Sequence, residues 1–279
     1  MRYRGRLVSP VAANITTSGA SSVWQLPEHM QSVYAGTWPT GVKNGATAGQ
    51  AAASAQAIQT LGIYTDGAYY IDLPTAGPTL CYCLLDTKWD GGGWIMAAKS
   101  SAGSTQFQYS SSDWTTVTTI NTGSTNLTVA DAKFHSMNYF QSKDLLAIFP
   151  DMTSNSGCIS NLGNWNWLQN NFYGASRTTL ISFFGGAANQ SVVSPAWNYC
   201  GFSSSFWSYE GGANFYGFNY NQAGGWENRW GFAFNNEGNW GSNDAGGGIG
   251  FSGSSGRDAY GCCGSAGVNR TFGWYIYVR

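Results

Sequence analysis

The sequence predicts an α+β domain with a mixed sheet, few short helices and a long loop-rich carboxyl-terminal region, preceded by an extended amino-terminal arm. Three features of the composition predict this class: charged residues make up only 10% of the 279 residues, aromatic residues make up 16%, and 38 residues are glycine. Surface helices are typically rich in Lys and Glu, which are scarce here, whereas abundant Trp and Gly favour strands, turns and packed loops. Because 43% of the residues are hydrophobic, the chain can bury enough surface to offset its ordering entropy and fold.

Charge and hydropathy argue against two classes of partner. The net charge of -1 gives no electrostatic attraction for phosphates, so we expect no nucleic acid partner. No run approaches the roughly 20 apolar residues of a membrane span, so we expect no membrane insertion. Residues 1–6 are basic, but Ser9 and Pro10 interrupt the apolar stretch that follows, so no signal peptide is predicted. We therefore expect a protein that is not exported by the general secretory route.

Residues 1–60 differ from the rest of the chain and predict an amino-terminal attachment arm or linker before a domain at 61–279. The arm has one acidic residue, Glu28, and ends in a low-complexity segment at 41–53. One face of a short helix is predicted by four apolar residues at helical spacing, Leu26, Met30, Val33 and Tyr34. A helix of that size cannot bury its apolar face alone. It must pack on the following domain, on another copy of the chain or on a larger assembly, and the pattern leaves these alternatives open.

Short elements are expected to follow one another along the domain. A helix over about 51–61 precedes three strands, which are separated by a proline-bounded turn and a triple-glycine turn. We predict these strands at 68–71, 79–85 and 94–98. Two further helices are predicted at 129–140 and 161–172. From about residue 191 the sequence has almost no helical periodicity and indicates a functional loop region, which ends in an alternating strand at 274–278.

The six cysteines leave the redox state open. They are Cys81, Cys83, Cys158, Cys200, Cys262 and Cys263. An even count is typical of disulfide scaffolds, but a chain of this length does not need disulfides for stability. Neighbours as close as Cys81 and Cys83 can bridge each other only with strain. The two close pairs could instead supply four thiolates to a zinc site, and the simpler alternatives are burial or pairing across the chain.

Several spaced segments resemble a known domain family. DGAYYID at 66–72, CYC at 81–83 and DGGGW at 90–94 resemble the opening of the fibrinogen C-terminal-like domain. Four segments nearer the carboxyl end resemble the intelectin branch of that family: WGFAFNNE at 230–237, GGGIGF at 246–251, Asp258 and YIYVR at 275–279. Together the two sets frame residues 62–279. The resemblance implies a fibrinogen-like fold and a sugar-binding site in its carboxyl-terminal half.

A calcium site is predicted at 235–244, because this segment is dense in the oxygen ligands that calcium prefers. The resemblance implies that Asn235, Glu237 and Asp258 are calcium ligands and that a sugar diol completes the coordination shell. Asp244 is chemically suited to the same ion. The alternative is a metal-free loop that is held by hydrogen bonds between its side chains and its backbone.

Glycan contacts are predicted beside this ion. Asn239 and Asn243 carry amides that can bond sugar hydroxyls, and Trp240 and Tyr260 carry rings that can pack on a sugar. The sequence also departs from the intelectin pattern, because Gly238 stands where the family has a histidine that contacts the sugar.

The arm resembles short segments of bacteriophage tail and fibre proteins, through VWQL at 23–26 and AGTWP at 35–39. This resemblance implies a virion protein that is made in the host cytoplasm and leaves the cell by lysis. We therefore expect an adhesin whose residues 1–60 bind other virion proteins and whose domain binds a host-surface glycan. A homo-oligomer is expected, with a trimer as our guess. The alternative is a purely structural tail, fibre-base or capsid-decoration component that has no glycan ligand.

Catalysis is not expected. A glycosidase needs a pair of carboxylates at a defined distance. Four residues could supply such a pair, but their spacing in sequence says nothing about their separation in space: Glu210, Glu227, Glu237 and Asp244. The two histidines, His29 and His135, are far from this region in sequence, and no nucleophile–base signature is present.

Overall fold

Three helices of five residues each occur in the part of the chain that the structure describes: α1 (Ala55–Gln59), α2 (His135–Tyr139) and α3 (Leu180–Phe184). This computed structural model describes residues 41–153, 164–188, 190–191, 213–221, 227–235, 245–251, 259–263 and 268–279, and the paired strands β1 (Ile15–Thr16) and β2 (Gly19–Ala20). Two 3-10 turns lie at Ala48–Gln50 and Ser112–Trp114. A helix needs about 20 apolar residues to cross a membrane, and none of the described helices approaches that length.

Thirteen further strands form two antiparallel sheets. They are β3 (Gly67–Leu73), β4 (Gly77–Leu84), β5 (Trp94–Ser100), β6 (Ala132–Lys133), β7 (Leu145–Thr153), β8 (Asn164–Gln169), β9 (Gln190–Ser191), β10 (Ala213–Tyr220), β11 (Asn228–Asn235), β12 (Ala245–Ile249), β13 (Ala259–Cys263), β14 (Val268–Arg270) and β15 (Trp274–Val278). The seven-stranded sheet has the order β3-β4-β5-β15-β7-β8, with β6 paired to β5. The six-stranded sheet is a meander with the order β14-β13-β12-β11-β10-β9.

The central strand β15 is buried along its whole length. Trp274, Ile276 and Val278 face the larger core, whereas Tyr275 and Tyr277 face a second core on the opposite side of the sheet. A strand that is covered on both faces carries apolar residues at successive positions instead of alternating with polar ones. This explains the WYIYV sequence, and the strand predicted at 274–278 is confirmed.

Aromatic side chains join the two sheets. Trp167 of β8 packs edge to face on Trp230 of β11 with ring centroids 5.7 Å apart, and Phe149 of β7 packs on Trp167 at 4.7 Å. Phe218 of β10 stacks on Trp230 at 5.4 Å and meets Phe183 of α3 at 4.9 Å. The high aromatic content is therefore largely structural, because few other side chains bury as much area per residue.

Residues 45–58 pack against the edge of the larger sheet. Ala52 forms a parallel bridge to Ile71, and both are fully buried together with Ala55 and Ile58. Gly45 O accepts a hydrogen bond of 2.8 Å from the Tyr70 backbone N–H. The boundary at residue 60 stays a prediction, and the described residues 45–58 before it contribute to the same core as the strands.

The DGAYY and DGGGW segments build a turn beside α1. The Asp66 carboxylate accepts hydrogen bonds from the backbone N–H groups of Leu85 and Asp86 at 2.7 and 2.9 Å, and from Trp89 Nε1 at 2.7 Å. Gln59 of α1 donates from Nε2 to Leu85 O at 2.6 Å and to Gly91 O at 2.9 Å. Gly92 lies in the left-handed region at φ +76° and approaches this amide so closely that a Cβ at Gly92 would lie 2.3 Å from Gln59 Nε2. The motifs that carry the fibrinogen-like resemblance thus have a structural role in this chain.

Arg279 connects the same turn to the residue that precedes β7. Its guanidinium lies 4.0 Å from the centre of the Trp94 ring and donates to the Asp90 carboxylate at 3.0 Å and to the Asp144 carboxylate at 3.2 Å. It also donates to the backbone carbonyls of Asp90 and Gly92 at 2.6 and 3.1 Å. This one side chain therefore connects the β4–β5 turn with the start of β7.

Two fully buried lysines hold the long irregular segment at 101–131. Lys99 of β5 donates to the carbonyls of Asn126 and Thr128 at 2.9 and 2.8 Å. Lys133 of β6 donates to the Thr116 carbonyl. A buried ammonium is tolerated only when it donates hydrogen bonds. Here these hydrogen bonds hold in place a segment that has little regular secondary structure.

The stability of the protein should depend on pH through Lys133. Burial lowers the pKa of Lys133 to about 8, and the charge of Asp113 acts in the opposite direction. The pKa of a lysine in an unfolded chain is about 10.4. Below pH 8 the Lys133 amine is protonated in both the folded and the unfolded protein. Between about pH 8 and 10 the unfolded state binds more protons, so this residue makes the free energy of unfolding rise with pH. Denaturant unfolding at pH 7, 8, 9 and 10 should show this rise relative to Lys133→Met, and parallel profiles for the two proteins would contradict it.

Several expectations from the sequence are corrected. The expected mixed sheet is antiparallel throughout the paired strands. The helix predicted at 161–172 is wrong, because residues 164–169 form β8, which pairs with β7 and buries Trp167. The helix predicted at 129–140 is confined to α2, because β6 occupies its first half. The region after residue 191, predicted as a functional loop region, contains five further strands, β10–β14, among the residues that the structure describes. The strands predicted at 68–71, 79–85 and 94–98 are confirmed, and the helix predicted over about 51–61 is shorter, because only Ala55–Gln59 is helical.

Candidate functional site

The predicted ligand residues lie mostly outside the described residues. Asn235 is the last residue of β11 and Tyr260 is the second residue of β13, and only their backbones are described. The others fall in the two connections on either side of β12, and they are Glu237, Asn239, Trp240, Asn243, Asp244 and Asp258. The strands between them nevertheless fix where each connection begins and ends.

The register of β12 separates the two connections. Phe234 of β11 pairs with Ala245, so the segment 236–244 leaves and re-enters the sheet at one end of β12. Ala259 of β13 pairs with Ile249, at the opposite end of the same five-residue strand. Asn235 and Ala259 are therefore about 16 Å apart along the strand direction, at about 3.3 Å per residue.

This separation divides the predicted calcium ligands into two groups. Asn235, Glu237 and Asp244 belong to one end of β12, whereas Asp258 is bonded to Ala259 at the other end. Calcium ligands lie at about 2.3–2.6 Å from the ion, so they must converge within a few ångströms of one another. The backbones of Asn235 and Ala259 thus lie at opposite ends of β12, whereas Glu237, Asp244 and Asp258 lie outside the described residues, so the calcium ligand set stays a prediction.

A polar cluster occupies the end of the sheet where β10 ends and β11 begins. The Arg229 guanidinium lies 4.2 Å from the centre of the Tyr109 ring, and its Nε donates to the Tyr109 carbonyl at 2.9 Å. Its Nη1 donates to Phe184 O at 2.8 Å and to Asn219 Oδ1 at 3.0 Å. Arg229 thus connects the six-stranded sheet to the irregular segment at 101–131 and to the end of α3, which is a structural role for its guanidinium.

Glu227 lies beside this cluster and is half-buried. Burial raises the pKa of Glu227, and the positive charge of Arg229 acts in the opposite direction. Burial likewise raises the pKa of Tyr109, opposed by Arg229. Gly250 adjoins Arg229, since a Cβ at this position (φ +67°) would lie 2.6 Å from Arg229 Cγ. The connection that follows Phe251 therefore starts near Arg229, a proximity that sequence spacing could not predict.

Cys81 and Cys83 lie on one face of β4 and point into the larger core. Both are free, and burial raises the pKa of the Cys81 thiol to about 12. Burial also raises the pKa of Cys83 well above its ordinary value. Zinc binds the thiolate, which such burial disfavours, so these two cysteines are packing residues. Across the described ranges, no three His, Cys, Asp or Glu side chains are grouped around a possible metal position.

Comparisons with known proteins do not add to this picture. No protein-family model matches the chain, and no similar sequence was found among curated proteins.

Proposed function

We propose that the protein is a bacteriophage tail or fibre adhesin that binds a host-surface glycan through a fibrinogen-like, intelectin-like domain. One observation carries the proposal: β11 and β12 are adjacent and antiparallel, and their pairing at Phe234 and Ala245 closes the ligand-rich segment 236–244 into a loop at one end of the sheet. That segment concentrates carboxylates and amides in a chain that is only 10% charged.

Asn235, Glu237 and Asp244 are the residues that would hold a calcium ion at this end of β12. Their carboxylate and amide oxygens are the donors that this ion prefers, and the neighbouring glycines allow backbone carbonyls to turn towards it. A bound calcium would supply open coordination positions to two adjacent sugar hydroxyls. Asn239 and Asn243 would bond other hydroxyls, and Trp240 would pack on the sugar ring. Asp258 and Tyr260 would contribute only if the connection after Ile249 reached this loop, and the register argues against it for Asp258.

Two substitutions test whether the calcium site is confined to residues 235–244. Glu237→Ala should weaken glycan binding at least tenfold and abolish its dependence on calcium, because it removes a charged ligand from the predicted site. Asp258→Ala is the matched control and should leave the calcium dependence intact. The measurement is binding of the full chain to a glycan array with calcium or with a chelator, followed by titration of the best glycan. Equal losses in the two variants would contradict a site confined to 235–244, and calcium-independent binding would remove the ion from the proposal.

Attachment to the particle is assigned to the amino-terminal residues. Several copies on one virion would raise the weak affinity of a single sugar site through avidity. Because residues 45–58 are part of the core, a truncation that tests attachment should remove only residues 1–40. If this truncation abolishes incorporation into virions while the full chain binds no glycan, the purely structural role is the correct one.

A further inference from the structure

A solvent-open cavity of about 340 Å³ lies at the edge of the larger sheet, far in sequence from the loop at 236–244. Polar and charged side chains from four segments of the chain line it, together with one aromatic ring. Those that carry the argument are Ser54, Gln56, Asp72, Phe140, Gln141 and Arg177. Its volume is at the lower end of the range of about 300–1,000 Å³ that is typical of small-molecule sites.

One wall of the cavity is fixed by β3 and α1. The Asp72 backbone N–H donates to Ala52 O at 2.8 Å, which ties the end of β3 to the segment before α1. Ser54 caps α1, because its Oγ accepts a hydrogen bond of 3.1 Å from the Ala57 backbone N–H. Its hydroxyl hydrogen is still available for a ligand. Asp72 and Gln56 are exposed and stand on this rigid wall.

The opposite wall is fixed by a short backbone ladder. Ser142 and Thr178 exchange two hydrogen bonds of 2.9 and 3.1 Å, which hold their neighbours Gln141 and Arg177 side by side. Arg177 Nη1 donates to Gln141 O at 3.1 Å. Phe140 is nine-tenths buried, so its ring is held in place between the core and the cavity.

Asp72 and Arg177 are unpaired charges that line the same cavity. The ion pairs among the described residues join Lys88 to Asp86 and Arg279 to Asp90 and Asp144, and neither Asp72 nor Arg177 takes part in one. No described side chain or backbone group bonds the Asp72 carboxylate. Opposite charges that line a cavity without pairing keep their hydrogen-bonding capacity for a ligand.

We propose that this cavity binds a neutral saccharide unit. A sugar hydroxyl both donates and accepts, so neighbouring hydroxyls can donate to Asp72 and accept from Arg177 at the same time. The amides of Gln56 and Gln141 bond further hydroxyls, and Phe140 packs on a C–H face of the ring. An anionic ligand would be repelled by Asp72 and a cationic one by Arg177, so a neutral polyhydroxyl ligand fits both walls. The site uses no calcium and does not depend on the loop at 236–244.

Saturation-transfer NMR on the full chain in the presence of EDTA tests this site. The probes are the methyl glycosides of glucose, galactose, mannose, N-acetylglucosamine and N-acetylgalactosamine, with glycine and lysine as charged small molecules. At least one glycoside should show transfer, and its dissociation constant should rise at least tenfold in Asp72→Asn and in Arg177→Gln. The matched controls, Asp86→Asn and Lys88→Gln, change an exposed charge pair outside the cavity and should bind as the unchanged protein does. Gln56→Ala combined with Gln141→Ala is a second test that leaves both charges in place and should also weaken binding.

The outcomes separate this proposal from the calcium-dependent site. Transfer that is lost in the Asp72 and Arg177 variants but kept in Glu237→Ala supports the cavity, whatever the glycan array shows. The proposal is overturned if no glycoside binds at about 10 mM, a concentration that would detect dissociation constants up to about 10 mM. It is equally overturned if binding survives the Asp72 and Arg177 substitutions, or if only glycine or lysine binds and is lost in them. Thermal melts of each variant, expected to match the unchanged protein because both side chains are exposed, verify that the fold is intact.

Discussion

Gly92→Ala should lower the free energy of unfolding by at least about 3 kcal/mol, because the new Cβ has no space and the backbone is left-handed. A Cβ at this position would lie 2.3 Å from Gln59 Nε2 and 2.7 Å from Leu85 O. The amide could rotate away, but it would then lose its hydrogen bonds to the turn, and the carbonyl belongs to a fixed backbone. For a chain of this size the loss corresponds to a fall in melting temperature of about 6–12 °C.

Gly62→Ala is the matched control for this prediction. Gly62 has φ +80°, close to the φ of +76° at Gly92, but a Cβ there would meet no atom within 4 Å. The control should therefore cost only the left-handed backbone penalty of about 1 kcal/mol. Equal losses for the two variants would show that backbone strain, and not packing against Gln59, explains the triple-glycine turn.

Arg279→Ala should destabilise the protein by about 2–4 kcal/mol. The change removes the hydrogen bonds to two carboxylates and two carbonyls, together with the cation–π contact on Trp94. It also leaves Asp90 and Asp144 without the cation that they share, and their side chains are only 35% and 19% exposed. The free energy of unfolding of Arg279→Lys should fall between those of the unchanged protein and Arg279→Ala, because an ammonium keeps the charge but cannot bond several acceptors in one plane.

Denaturant unfolding of these variants should be compared with Lys88→Ala. Lys88 also pairs with a carboxylate and lies over an indole ring, at 5.2 Å from the centre of Trp89, but both members of its ion pair are about 40% exposed. An exposed pair of this kind contributes less than about 1 kcal/mol. A loss in Arg279→Ala no larger than that in Lys88→Ala would mean that the multiple contacts of Arg279 do not act together.

The sequence was informative wherever local chemistry decides the structure. The strands around Tyr70, Tyr82 and Met96 are flanked by proline and glycine turns, and these turns mark their ends without knowledge of the fold. β8 was missed because its helical or extended form depends on pairing with β7, which lies outside its own sequence. The strand β12 was missed because its three glycines add nothing to a hydrophobic pattern, whereas the backbone ladder that holds it does not need side chains.

The same distinction applies to the sites. The ligand-rich segment 235–244 is contiguous, so its chemistry could be read directly. The separation of Ala259 from Asn235 depends on the register of β12, and the placement of Asp72 and Arg177 on one cavity depends on the Ser142–Thr178 ladder. Both are consequences of long-range pairing, which no window of sequence contains.

The position of β15 between β5 and β7 has a kinetic consequence. β15 is separated from β5 by more than 170 residues of sequence, yet it pairs with this strand along its length and with β7 on its other side. The sheet therefore cannot be completed by successive hairpins, and closing so long a loop places the protein among the slow folders of high contact order. Until β15 docks, the edges of β5 and β7 are open to pairing with other chains, so folding should compete with aggregation as the protein concentration rises.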